Sequence, residues 1–497
     1  MAMKQHLESA TVFKGTSKTI QNDILDAILT VYYAEIKQQV SESDFLAIQA
    51  DETTDVSTIM QMVLIIRYER NGEIFERFWK YLKPKSHCAV GISDTILQEL
   101  ELLQIPKSKL IAQCYDGASV MSGKIGGVRA KIQNLYPYAY FVHCYAHQFN
   151  LIVQRSVTEN KEIQRFFANL QSIPKFFSRS AKRTDILTDI VKRKIPVAPP
   201  TRWNFNIRTV QTVHAYSASL IDSMEKILEI ENDPNTINQA GMILNYLKDE
   251  TFIYWLEFFN KIMPHCDILF HQLQKRFIDP VVINNNVRAF ENQIQVVRNS
   301  TDNVSEPPTK RIKTTKSVIC KEVCDIILSQ VQSRFQFTDH LSAAKLLYCD
   351  KFSEYRKKFS EIDFRATKNT YNFLDKFKLR NELLTVYNRD DFANADGSIS
   401  ILQLFYNNGL SDAFSECVKL LKIVCTIPMT SVESERCFST LKRIKSFLRN
   451  TISQDRLNAL SVLSIEKRLI QSIPDFNSRV IDVFATQRQR RIDLIYK

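Results

Sequence analysis

Phe45-Leu46-Ala47-Ile48-Gln49-Ala50-Asp51-Glu52-Thr53-Thr54-Asp55 is an apolar run of strand length that breaks off in carboxylates. Ile111-Ala112-Gln113-Cys114-Tyr115-Asp116-Gly117-Ala118-Ser119 repeats the arrangement. A third acidic segment, Thr430-Ser431-Val432-Glu433-Ser434-Glu435-Arg436-Cys437-Phe438-Ser439, reads as the start of a helix. Carboxylates carried on the ends of separate elements can converge, and clustered carboxylate oxygens suit hard divalent cations. Two such ions activate a water and stabilise the leaving oxygen of a phosphodiester. The pattern points to a nuclease or a DNA transferase.

Working outward from Asp51, residues 20 to 43 read as a helix, with Ile24, Leu25, Ile28, Leu29 and Tyr32 on one face. Met60 to Tyr68 is rich in β-branched residues, and Asn71-Gly72 separates it from Ile74 to Leu82, a hairpin with its turn chemistry in place. Helix is expected over 92–103, strand over 110–115, helix over 127–135, strand over 139–143 and helix from about 147 to 157. A meander followed by alternating helices and strands predicts a mixed sheet with helices on its faces.

From about residue 205 to 400 the periodicity is almost wholly helical. Val210, Val213, Leu220, Met224, Ile227 and Leu228 share a stripe, and Phe252 to Leu273 is dense enough in apolar residues for a buried helix. Arg298 to Ser317, with two prolines and a basic cluster, reads as a mobile loop. The third acid lies beyond this helical stretch. The expected organisation is an N-terminal helical segment at 1–43, the first part of a sheet domain at 44–204, a helical insertion at 205–410, and a C-terminal part at 411–497 that completes the sheet domain.

The chain has 497 residues, too many for one core, with 44% hydrophobic and 24% charged residues, as in a soluble globular protein. Only ten glycines and fourteen prolines favour long helices over flexible linkers. The net charge of +12 favours a polyanionic partner, because each neutralised phosphate releases counterions. The ten cysteines include no CxxC pair and read as scattered thiols of a reducing compartment. No run is apolar enough to span a membrane, so no membrane partner is expected.

Six stretches in order resemble the hAT superfamily of DNA transposases, in the branch of zinc-finger MYM-type protein 1-like and repressor-of-the-inhibitor-of-the-protein-kinase-like proteins. They are Gly15-Thr16-Ser17 with Ile20-Gln21-Asn22; Ala50-Asp51-Glu52-Thr53-Thr54-Asp55; Tyr115-Asp116-Gly117-Ala118; His143-Cys144-Tyr145-Ala146-His147-Gln148-Phe149-Asn150-Leu151; Thr201-Arg202-Trp203-Asn204; and Thr430 to Ser439, completed by Arg456-Leu457. The resemblance implies a ribonuclease-H-like mixed sheet domain interrupted by a large all-helical insertion. It implies Asp51, Asp116 and Glu435 as a catalytic triad that binds Mg²⁺ or Mn²⁺. It implies DNA as substrate, a nuclear location, a role for Trp203 in handling a flipped base, and a C-terminal dimerisation region giving a homodimer or higher homo-oligomer. Before Asp51 the only Cys or His is His6, so no zinc finger is expected there. That departure keeps a second reading in view, a domesticated, non-catalytic nuclear protein that binds DNA or dimerises.

Each site residue has a plainer reading. A lone acid at a strand end is usually a cap or turn residue, and Asp55 is read as one. Glu433, three residues after Thr430, fits a capping box, which leaves Glu435 as the ligand. His143, Cys144 and His147 fall one short of a structural zinc site; His147 is read either as packing near the site or as a DNA contact. Arg202 and Trp203 either anchor a loop or bind phosphate and stack on a base. Arg436, Lys442 and Arg443, with Lys445 and Arg449 beyond, are either a solvated helix face or phosphate contacts. Lys310-Arg311-Ile312-Lys313 resembles a nuclear import signal. Leu457, Leu460 and Leu463 are read as dimerisation residues.

Overall fold

The computed structural model describes residues 17–191, 204–301, 310–336 and 339–487. They form two compact units. Of the described residues, one takes those up to Cys144, Arg276–Val281 and those from 339 onward; the other takes those within Tyr145–Lys275 and Val282–Gln336.

The first unit is built on five strands, β1 (Leu46–Thr54), β2 (Met60–Arg70), β3 (Glu73–Leu82), β4 (Leu110–Tyr115) and β5 (Tyr140–His143), in the order β3-β2-β1-β4-β5. β1, β2 and β3 are antiparallel, whereas β4 and β5 run parallel to β1. Asn71 and Gly72, with φ of 54° and 79°, close the β2–β3 hairpin and leave Arg70 opposite Glu73. Such two-residue turns need positive φ, which Asn and Gly tolerate. Leu46–Ala50 and all of β4 are buried, as expected of strands covered on both faces. Polar groups inside meet one another: the Arg67 guanidinium meets Glu76 at 2.8 Å, and Gln49 Nε2 donates to the same Glu76 oxygen at 2.6 Å.

Helices from both ends of the chain cover this sheet. Tyr32 and Ile36 of Lys18–Glu42, Cys437, Phe438 and Leu441 of Val432–Ile444, and Leu457 and Val462 of Gln454–Ile465 share one core with Val63, Ile65 and Phe78. The C-terminal segment thus packs on the first sheet, as a completed sheet domain requires. It also blunts the β3 edge, which would otherwise offer unpaired backbone groups to another chain. Asn458 accepts from the Tyr81 N–H at 2.8 Å and donates to the Tyr81 carbonyl at 3.2 Å, imitating a neighbouring strand. Glu466 accepts from the Phe78 N–H at 2.7 Å and pairs with Arg77 at 3.2 Å.

The second unit is helical, with Tyr145–Thr158, Lys161–Ser178, Ala181–Val191, Asn204–Ala215, Ser217–Ile230, Pro234–Lys248, Glu250–Leu273, and most of Pro280–Ser300 and Lys310–Arg334. Asn160, Asp233 and Asp249 cap three of these helices by accepting from backbone N–H groups of the first turn. Its core is aromatic: Phe259 stacks on Phe166 at 5.6 Å and meets Phe167 edge-on at 4.7 Å.

Three expectations need correction. The helical unit runs from Tyr145 to Gln336 rather than from 205 to 410, because amphipathic helices such as Lys161–Ser178 bury Phe166, Phe167 and Leu170 there, while residues 339–410 pack with the sheet unit. Of the proposed mobile loop, Arg298–Ser300 and Lys310–Ser317 are helical and 302–309 lie outside the described residues. Leu457 is buried in the sheet unit's core, and Leu460 and Leu463 pack against that core. Leu457 is therefore a core residue, while Leu460 and Leu463 are half-buried.

Candidate carboxylate site

The strand register brings the two aspartates together. Ile48 pairs with Gln113 and Gln49 with Cys114 on the adjacent parallel strands β1 and β4. Two residues further along the same direction lie Asp51, still within β1, and Asp116, just past the end of β4. β1 is also where the sheet changes from antiparallel to parallel pairing. Ligands of open α/β sheets gather outside the carboxyl ends of strands where the topology switches.

Glu435 completes the group from the first turn of the Val432–Ile444 helix, which packs on β1 and β2. The charges are close enough to act on one another. Burial first, then the charges of Asp116, Glu435 and Glu52, push the Asp51 carboxyl up to about 7, against one backbone N–H, from Glu52, that donates to Asp51 Oδ1 at 2.8 Å and lowers it. Burial and the charge of Asp116 likewise raise Glu52 to about 7. Glu52 Oε1 is buried with no hydrogen-bond partner. Sequence reasoning quoted Glu52 as part of a motif but gave it no role; the only signal was its place beside Asp51.

Four hard oxygen donors that repel one another fit a divalent cation in kind. Among the described residues, however, no three His, Cys, Asp or Glu side chains are gathered into a ready ligand set. The carboxylates share a site without yet closing on a common point.

Glu433 does not cap its helix, whose N-cap residue Ser431 makes no side-chain cap hydrogen bond. Glu433 is buried instead, accepting from Arg276 at 2.8 Å and from Arg436 at 2.7 Å. Two guanidiniums therefore hold Glu433 on one side, while Glu435 acts on Asp51. The pairing also spends the charge of Arg436. Arg276, distant in sequence, gave no signal.

Asp55 is a turn acid, as read. Its Oδ1 accepts from the backbone N–H groups of Ser57 and Ile59. Gly117 is dictated by a close approach: a Cβ there would lie 2.4 Å from Cε1 of His143, at the end of β5. Lys442 and Arg443 are exposed, and Arg443 donates to Thr440 Oγ1 at 2.9 Å. His147 lies half-buried on Tyr145–Thr158, in the helical unit. Arg202 and Trp203 lie outside the described residues.

The site is thus a group of acids on a mixed sheet, Asp51 in β1 and Asp116 after the adjacent parallel β4, joined by Glu435 from a C-terminal helix. Two family models match the chain in order: "ZMYM1/FAM200, RNase-like domain" over residues 3–127 and "hAT family C-terminal dimerisation region" over residues 384–469. Over these two segments the chain is similar to hAT-family proteins. It is 20% identical over 503 residues to the mouse 52 kDa repressor of the inhibitor of the protein kinase, and 19% identical over 499 residues to the human protein of that name. Each match covers 90% of this chain and 65% of the relative, so the chain spans about two thirds of the length of these proteins.

Proposed function

We propose that this chain is a hAT-type transposase core that cleaves and transfers DNA strands, with Asp51, Asp116 and Glu435 holding Mg²⁺ or Mn²⁺ in a ribonuclease-H-like domain interrupted by the helical unit. The observation that carries this reading is that Asp116 and Glu435, from distant parts of the chain, come close enough for their charges to act on Asp51. Bound there, a divalent cation supplies Lewis-acid polarisation and an activated water. The protein's own part is to hold oxygen donors in one strand, just past its parallel neighbour and in the first turn of a helix, positions that a packed core keeps fixed. Lys442 and Arg443, exposed further along Glu435's helix, supply phosphate contacts. The net charge of +12 supports a polyanionic substrate, and the match to the dimerisation region supports a homo-oligomer; a nuclear site of action belongs to the same reading.

A second reading rests on the names of the relatives, which describe repressors. In it the same fold binds DNA or dimerises without cutting. A nicking assay on transposon-end and scrambled duplexes, with Mg²⁺, Mn²⁺ or chelator, separates the two. Cation-dependent nicking that disappears in Asp51→Asn supports the enzyme. Binding without nicking in either cation, at full occupancy of the DNA, overturns it in favour of the second reading.

A further inference from the structure

Between Glu435 and Asp455 the chain carries no acidic residue, while Arg436, Lys442, Arg443, Lys445 and Arg449 fall within that stretch. At its apex a short 3₁₀ turn, Phe447–Arg449, holds Phe447 and Leu448 at 82% and 92% exposure. These two side chains are not on a loose tail. Before them, Leu441 and Lys445 are buried; after them, Leu457 is buried, and Ile444 and Ile452 pack on the sheet unit's core. Both ends of the apex are also tied to the turn that follows β1. Lys445 Nζ donates to Asp55 Oδ2, and Ser57 Oγ donates to the Asn450 carbonyl at 3.2 Å. A firmly held apex that keeps two large apolar side chains in water calls for something to cover them.

The cover is a DNA duplex, on two grounds. The flanking side chains Lys442, Arg443 and Arg449 are exposed and cationic, which suits phosphates and not an acid-free apolar protein surface. The apex also belongs to the same two elements as the carboxylates. Lys445 caps the far end of the helix whose first turn holds Glu435, about 15 Å along at ~1.5 Å per residue. Asp55 lies four residues beyond Asp51, within about 14 Å even for a fully extended chain. We propose that Phe447 and Leu448 are a wedge that enters a DNA duplex between base pairs and opens it beside the carboxylate site. At ~3.4 Å per stacked base, the opened step lies roughly four nucleotides from the strand presented to the acids. Apolar wedges of this kind unstack a step and kink the duplex, while neighbouring cations hold the backbone. The inference rests on the DNA reading above and assigns the step that exposes a strand to that site.

The test compares the full chain on a perfect duplex and on the same duplex with a two-base central mismatch, whose opening is already favourable, with 2-aminopurine beside the mismatch. The wild type binds the mismatched duplex about fivefold or more tightly, the effect of ~1 kcal/mol of stacking on one base, and the 2-aminopurine brightens. The Phe447→Ala/Leu448→Ala variant still binds DNA but loses both the preference and the brightening. It should melt as the wild type does, since both side chains are solvated. Lys442→Ala/Arg443→Ala weakens binding to both duplexes and retains the preference. A wild type that binds both duplexes equally overturns the wedge and leaves DNA binding standing. So does a preference that survives in the double alanine variant. Loss of self-association in that variant with an unchanged preference makes the apex a protein contact and also overturns the wedge. No binding to either duplex at low salt overturns the DNA reading and the wedge together.

Discussion

Lys445 and Asp55 form an ion pair across 390 residues of sequence, with both side chains almost wholly out of water. It fastens the far end of Glu435's helix to the turn after Asp51's strand. Removing one partner leaves an uncompensated buried charge, so Lys445→Ala is expected to cost about 3–5 kcal/mol in chemical denaturation. Lys445→Met combined with Asp55→Asn should recover most of that loss. Burial pushes the Asp55 carboxyl up, but the Lys445 ammonium, the Ser57 and Ile59 N–H groups and Gln61 outweigh it and hold the group below the usual range. A depressed folded value means that this stability is fully present above about pH 4 and is lost as pH falls through the folded value. A single alanine variant as stable as the wild type at pH 7 would show that the pair is not closed in solution.

Glu433 and Glu435 should separate stability from chemistry. Glu433→Gln leaves Arg276 and Arg436 without their charged partner and is expected to lower stability by about 2–3 kcal/mol, measured by urea unfolding. Glu435→Gln removes one of the charges that act on Asp51 and should leave the urea midpoint nearly unchanged. In cation-dependent nicking the order reverses, Glu435→Gln losing activity by a hundredfold or more if about 3 kcal/mol of transition-state stabilisation goes with it. Equal loss of nicking in both variants, with both folded, would mean that the helix and not the ligand matters.

The sheet was legible because its signals are local. The Asn71-Gly72 turn and the apolar runs ending at Asp51 and Asp116 each need only a few residues to be read. The boundary at Tyr145 was not legible, since the Lys161–Ser178 helix has the same amphipathic pattern whichever unit it packs with. The fate of Leu457 was hidden for a related reason: an apolar face looks the same in sequence whether a sheet or a second subunit covers it. Glu433 misled because Thr430 and a glutamate three residues later match a capping box, while its partner Arg276 is reachable only through the fold. Asp51, Asp116 and Glu435 were legible as acids in context, but their nearness to one another follows from the β1–β4 register and the packing of the C-terminal helix.

A divalent cation should protect the sheet unit against heat. Mutually repelling carboxylates destabilise the apo site, and an ion that binds only the folded form adds about 2.7 kcal/mol at a hundred times its dissociation constant. Mn²⁺ or Mg²⁺ is therefore expected to raise the unfolding midpoint of the wild type in a concentration-dependent way, with Ca²⁺ as an oxygen-seeking comparison. In Asp51→Asn/Asp116→Asn the cation-dependent rise should vanish while the cation-free midpoint stays level or increases. A rise that persists in the double variant would place the bound ion elsewhere.

His340 should make the fold sensitive to mild acid. Its ring is buried and stacks on Tyr140 at 5.3 Å with planes 9° apart, and Nε2 has no hydrogen-bond partner. Burial lowers its value to about 4, against about 6.5 in the unfolded chain. Between these values the unfolded chain takes up a proton that the folded chain refuses. Stability from this group is therefore constant above about pH 6.5 and falls as pH drops toward 4, by at most about 3 kcal/mol. Several buried carboxyls titrate nearby with the opposite sign, so the measurement is a difference: urea midpoints of the wild type and His340→Phe from pH 4 to 8. Phenylalanine keeps the stacked ring and gives up no hydrogen bond at Nε2. The variant should gain on the wild type steadily as pH falls below 6.5 and run parallel to it above. Parallel curves over the whole range would mean that His340 protonates as readily in the folded protein as in the unfolded one.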